Sequence, residues 1–182
     1  SRHRLPTLEK NVRVGNSLVE DSDLDTKAFA WPKEFPLVSE DGGFDVVVGN
    51  PPWVQSKFLP ERFKEYYSSR YSNASKQYDL FTLFMERGVQ LLKPGGILGF
   101  IVPDRFLANS DYRVFRQWLL ETTRILRITP TGEGVFEGVE MPSAILILQK
   151  PRRGRPSPVD NVEIQDGVNG QVRRVSQGKL AS

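Results

Sequence analysis

The segment Phe44-Asp45-Val46-Val47-Val48-Gly49, cut off by Asn50-Pro51-Pro52-Trp53, constrains this chain more than any other. The β-branched run is too apolar for a strand with one wet face. It therefore reads as a strand buried on both faces of a sheet. Consecutive prolines have fixed φ and no N–H, so the ladder cannot continue past Gly49 and the chain must leave along one rigid path. The corner that results is rich in acceptors, with the Asn50 amide oxygen beside main-chain carbonyls. Trp53 adds a flat apolar face.

Around that strand, elements of two periods alternate. Lys10 to Val14 is a short strand candidate, and residues 17–43 are an acidic surface connection with room for one short helix. Tyr78 to Leu92 puts Leu80, Leu83, Phe84 and Leu91 on one helical stripe, with Asp79 placed to cap its start and Lys93-Pro94-Gly95-Gly96 to stop it. Ile97 to Val102 is a second buried strand, followed by Pro103-Asp104-Arg105. Arg113 to Glu121 fits a helix that buries Val114, Trp118, Leu119 or their neighbours. Ile125 to Ile128 and Ala144 to Leu148, with only a Gly-rich stretch between them, predict an antiparallel pair. The order predicts an α/β fold, a mainly parallel sheet ending in that hairpin. Ligands bind at the carboxyl ends of such strands. The candidate site segments are Gly15-Asn16-Ser17-Leu18, Gly49 to Trp53, and Pro103 to Phe106.

Composition removes several chemistries. There is no cysteine and only His3, which excludes thiolate zinc, a cysteine nucleophile and a histidine triad, and no metal site is expected. No apolar run approaches the roughly 18 residues of a membrane span, and the first residues lack a signal core, so a cytoplasmic protein is expected. The net charge is +3. All of it sits in residues 151–182, which open on the Pro/Gly/Arg-rich string Pro151 to Pro158 and read as a basic linker leading toward a further region. Between the strand exit and the main helix, Lys57, Arg62, Lys64, Arg70 and Lys76 alternate with Phe58, Phe63, Tyr66, Tyr67 and Tyr71. That mixture suits a mobile loop on a phosphate backbone, or an amphipathic helix around Pro60 to Tyr67 with a solvated face; one segment can be both.

Two carbonyl acceptors beside an aromatic face match a planar ring carrying an exocyclic NH2, such as a base lifted out of a nucleic-acid stack. The alternative is a rigid strand exit with a structural Trp53. Asn-Pro-Pro-aromatic after a hydrophobic strand resembles the catalytic motif of S-adenosylmethionine-dependent amino-methyltransferases. The wider pattern resembles the γ-type N6-adenine DNA methyltransferases, including the methylase part of type IIG restriction-modification enzymes. It comprises Tyr78-Asp79-Leu80-Phe81, Leu91 to Gly96 running into Ile97 to Pro103, and Gly134-Val135-Phe136 ahead of Ser143 to Lys150, over roughly residues 10 to 150.

The resemblance implies a Rossmann-like methyltransferase fold, S-adenosylmethionine as cofactor, double-stranded DNA with a flipped adenine as substrate, and a linked or separate restriction nuclease. It implies that Asn50, Pro51 and Pro52 form the catalytic corner, that Trp53 and Phe136 stack on the base, and that Asn16, Ser17, Leu18 and Asn50 contact the cofactor. Phe136 as a loop anchor and Asn16 as a turn residue stay open beside those roles. A protein-glutamine or RNA-guanine amino-methyltransferase, or a non-catalytic nucleic-acid-binding domain, are the alternative functions. In the family a Gly-rich loop and an acidic ribose-binding residue lie upstream of the segment at Asn16. The chain is therefore expected to be the C-terminal half of a catalytic domain, inactive or nearly so alone. Gly132-Glu133-Gly134 with Gly138 has the wrong spacing for the missing loop and reads as a hairpin turn.

Overall fold

A computed structural model describes residues 11–132, 142–154, 156–157 and 160–180. The chain divides into two compact units, Ser1–Asp41 and Gly42–Ser182.

In the first unit, two short helices, α1 (Trp31–Glu34) and α2 (Pro36–Glu40), each carry a proline in their first turn, where a missing N–H costs nothing. Phe29, Trp31 and Phe35 pack as an aromatic row, with centroids 4.8 Å apart edge-on and 5.9 Å apart stacked. The strand expected at Lys10 to Val14 does not form over residues 11–14. Val12 and Val14 are exposed, and the nearest pairing is a single bridge between Asn16 and Ala28. A lone apolar–polar alternation without a partner strand has nothing to bury against.

The second unit is an α/β fold on a six-stranded sheet of order β1-β2-β4-β3-β5-β6. Its strands are β1 (Phe44–Gly49), β2 (Leu92–Pro103), β3 (Arg124–Gly132), β4 (Ser143–Gln149), β5 (Asn161–Gln165) and β6 (Val172–Ser176). β1 and β2 are parallel, β4 runs antiparallel to both its neighbours β2 and β3, β5 is parallel to β3, and β6 turns back on β5. Thus β1, β2, β3 and β5 point one way, and the expected antiparallel hairpin is β3–β4. Helices α3 (Glu61–Arg70), α4 (Leu80–Leu91) and α5 (Arg113–Thr122) lie in the connections. Phe81, Met85, Leu98, Phe100, Phe115, Leu119, Leu146 and Leu148 belong to one buried cluster. α4 approaches β2 closely: a Cβ on Gly88 would stand 2.3 Å from Leu98 Cδ1.

Several expectations are corrected here. Among the described residues β1 is not buried on both faces: Val46 and Val48, which share one face, are 56% and 76% exposed, while Val47 on the other face packs against the core cluster. α5 buries Phe115 and Leu119, while Val114 is exposed and Trp118 is half-buried, stacked on Phe115 at 6.1 Å. Leu119 is buried as expected, and Phe115, the neighbour of Val114, takes the other buried position. Residues 151–182 are more than a linker. Among them, β5 and β6 extend the sheet and Val162 is fully buried. Their alternation of Val and Ile with charged residues is weak evidence of a strand until β3 supplies a free edge. No described helix is long and apolar enough to cross a membrane. The stretch that contains Phe136 lies outside the described residues.

Candidate active site

The carboxyl end of β1 delivers the corner. Gly49 is the last residue in register with β2, opposite Phe100, and the two prolines then carry the chain off the sheet. Pro51 is buried, whereas Asn50 and Pro52 are exposed. Among the described residues no hydrogen bond reaches the Asn50 side chain. Trp53 is half-buried and packs against the core cluster, so part of its ring is already committed to holding the corner down.

After Trp53 the chain is tied to the start of α4. Leu80 N–H donates to the Val54 carbonyl (2.8 Å), Ser56 N–H to the Tyr78 carbonyl (2.8 Å), and Tyr78 N–H to Ser56 Oγ (3.2 Å). Gln55 and Asp79 face each other as an antiparallel bridge. Asp79 occupies the N-cap position of α4, but its side chain makes no capping hydrogen bond, against expectation. Its buried carboxylate instead accepts from the Arg105 guanidinium and from the Tyr112 hydroxyl at 2.5 Å. Arg105 sits in the turn that leaves β2, and Tyr112 in the turn before α5. Burial raises the Tyr112 hydroxyl above the ordinary tyrosine range and Asp79 adds to the effect, so it stays protonated as a donor. Burial works against the Arg105 charge, but Asp79 and Tyr112 together more than offset it, and the net shift is upward. Gln55, Ser56, Lys57, Gln77, Tyr78, Asp79, Asp111 and Tyr112 border a cleft of about 90 Å³.

The basic segment resolves into a turn and a helix. Lys57 lies over the exposed Phe58 ring at 5.0 Å. On α3, Arg62 sits 5.2 Å from the Phe63 ring, Arg70 5.6 Å from Tyr66, and Lys64 pairs with Glu61 at 3.0 Å. Tyr67 and Tyr71 point into the core, so only part of the aromatic series is available to a ligand. Lys76 adopts a left-handed φ of 58°. Glu86 anchors the return of this segment: its buried carboxylate accepts from Ser72 N–H, Asn73 N–H and Asn73 Nδ2 at 2.8, 3.0 and 2.8 Å.

In the first unit, Asn16 uses its side chain locally. Nδ2 donates to Asp25 at 2.8 Å and Oδ1 accepts from Leu18 N–H at 3.2 Å. The Ser17 carbonyl accepts from Trp31 Nε1, and Leu18 is buried. The turn-residue reading of Asn16 accounts for these contacts. The network of Asp79, Arg105 and Tyr112 was missed by sequence reasoning, because its members lie 26 and 33 positions apart and no local spacing links them. Glu86, a carboxylate inside an apolar helical stripe, did carry a readable signal of burial.

This fold, with a Pro-Pro corner at the carboxyl end of a strand, is that of the S-adenosylmethionine-dependent methyltransferases. A Listeria monocytogenes protein assigned to class I of those enzymes superposes with a TM-score of 0.56 at 25% identity, over 69% of this chain and 37% of that one. The type IIL restriction-modification enzyme MmeI, solved in complex with DNA, gives a TM-score of 0.58 at 13% identity, over 86% and 20%, a likeness of fold alone. Residues 2–136 match the Eco57I restriction-modification methylase family, and the chain belongs to that family. The type II restriction enzyme and methyltransferase RM.Eco57I of Escherichia coli is 32% identical over 151 residues, which are 80% of this chain and 15% of that protein.

Proposed function

We propose that this chain carries the base-binding corner of a site-specific DNA methyltransferase that methylates the N6 amino group of an adenine flipped out of double-stranded DNA. The observation that carries the reading is the exposed Asn50, whose amide has no partner among the described residues and stands beside a proline that can only accept. The two N6 hydrogens would donate to Asn50 Oδ1 and to the Pro51 carbonyl. Those bonds favour pyramidal nitrogen and free its lone pair, so catalysis comes from positioning and electrostatics. Pro52 keeps the corner stiff, and Trp53 and Phe136 are the proposed stacking faces. Lys57, Arg62, Lys64, Arg70 and Lys76 are the proposed contacts to the DNA backbone.

S-adenosylmethionine would supply an electrophilic methyl group. Asn16, Ser17, Leu18 and Asn50 are its proposed contacts. The uncommitted amide of Asn50 fits that role better than Asn16, which already serves Asp25 and Leu18. A restriction nuclease, linked or separate, is the proposed companion.

The test is methyl transfer from labelled S-adenosylmethionine by the complete encoded protein, offered DNA, RNA and protein. Label at adenine N6 of DNA is expected. Asn50→Ala should lower the rate by at least about 10²-fold. Because the side chain is exposed and makes no hydrogen bond among the described residues, stability should stay within about 0.5 kcal/mol. Label in RNA or protein alone would replace the DNA reading with one of its alternatives.

A further inference from the structure

We infer that Asp79 is a positioning residue for the Asn50–Trp53 corner, acting through Arg105, Tyr112 and the pairing of residues 54–56 with 78–80. This rests on the proposed role of Asn50.

The corner is stiff, yet little holds it from its own side. Among the described residues β1 pairs with β2 alone, and the Asn50 side chain has no anchor. The corner's orientation is set, among the described residues, by the buried Pro51, by the half-buried Trp53 and by the chain that follows. That chain is clamped backbone to backbone on Tyr78–Leu80, with Asp79 at the centre of the clamp. Asp79 is 3% exposed. Its carboxylate joins the start of α4 to the turn leaving β2 and the turn entering α5. Because β1 and β2 are parallel, the turn leaving β2 lies at the same end of the sheet as the corner. One buried charge thus ties together three segments around the carboxyl ends of both strands.

Stability alone is a poor reason for this arrangement. A buried carboxylate–guanidinium pair roughly breaks even against apolar residues of similar size. A side-chain cap on α4 would have been the local use for an aspartate at this position, and it is not made. Arg105 Nε is itself buried with no hydrogen-bond partner among the described residues, so the guanidinium is only partly satisfied there. What the network does supply is geometry, and displacement of a reacting group by about 1 Å costs on the order of 10²-fold in rate.

The test compares Asp79→Asn, Tyr112→Phe and the double variant in the complete encoded protein, on whichever substrate takes label from S-adenosylmethionine. For Asp79→Asn, kcat should fall by about 30-fold or more while KM for cofactor and substrate changes less than about threefold. Tyr112→Phe, which keeps the ring and removes one hydrogen bond, should lower kcat by about three- to tenfold. The double variant should be no slower than Asp79→Asn, since both changes act on one network. Full kcat in Asp79→Asn would overturn the inference, as would equal losses in cofactor binding, thermal midpoint and kcat, or a double variant whose losses multiply. Should Asp79→Asn fail to fold, Tyr112→Phe decides alone: unchanged kcat overturns the inference, and a kcat loss at constant KM supports it. An active Asn50→Ala would instead sink the proposed function, so the two failures are separable.

Discussion

Tyr78 and Tyr112 border the same cleft, and their hydroxyls share one electrostatic character. Burial, followed by neighbouring Tyr67 and Glu61, pushes Tyr78 up to about 12, and burial with Asp79 raises Tyr112 further. Both shifts favour the neutral form in the folded protein. Their contribution to stability is therefore complete below the ordinary tyrosine value of 10.0; that of Tyr78 is lost as pH rises through about 12, and that of Tyr112 at higher pH still. In an alkaline titration followed by tyrosinate absorbance, two of the five tyrosines should ionise late and together with unfolding. Two late tyrosines ionising well before the fold is lost would contradict this. At this scale the sequence was readable where a residue acts alone, as Asn50 does beside two prolines. It was misleading for Asp79: the cap position was correct, and the carboxylate went to partners that only the fold brings near.

The main elements follow from period and punctuation. α4 begins and ends within two residues of its expected limits, because an apolar stripe and the Lys93-Pro94-Gly95-Gly96 stop agree. The glycine at position 88 shows what period cannot convey. A Gly→Ala change inside a helix is ordinarily favourable by up to about 1 kcal/mol. Here the added methyl would meet Leu98, which is fully buried and cannot swing away. Gly88→Ala should therefore destabilise by about 1 to 3 kcal/mol in denaturant unfolding, the cost of overpacking. A stabilised variant would mean that α4 and β2 can separate freely. The phase of α5 was harder to place: Val114, Phe115 and Trp118 are all apolar, and only the packed neighbours, Phe81 and Phe106, select Phe115 for the interior.

At the level of the whole molecule, the C-terminal residues are stitched to the sheet. The buried Gln177 donates through Nε2 to the Leu120 and Thr123 carbonyls, and its Oε1 accepts from Ile125 N–H. Glu163 bridges Arg127 and Arg174, which hold its carboxyl below the usual range. Removing residues 151–182 should lower the unfolding midpoint markedly, and Gln177→Ala should cost about 1 to 3 kcal/mol, because it strands two carbonyls and an N–H. A detachable linker would give no change in either measurement. The α/β class, the long helix, the Asn50–Trp53 corner and the family were legible before any fold was known, since each is written in local spacing, proline geometry or a short ordered motif. That β5 and β6 join the sheet, and that Asp79, Arg105 and Tyr112 meet, follows only from the assembled fold. Those outcomes depend on which surfaces find partners across long stretches of chain, and burial, pairing and buried charge are set by that assembly.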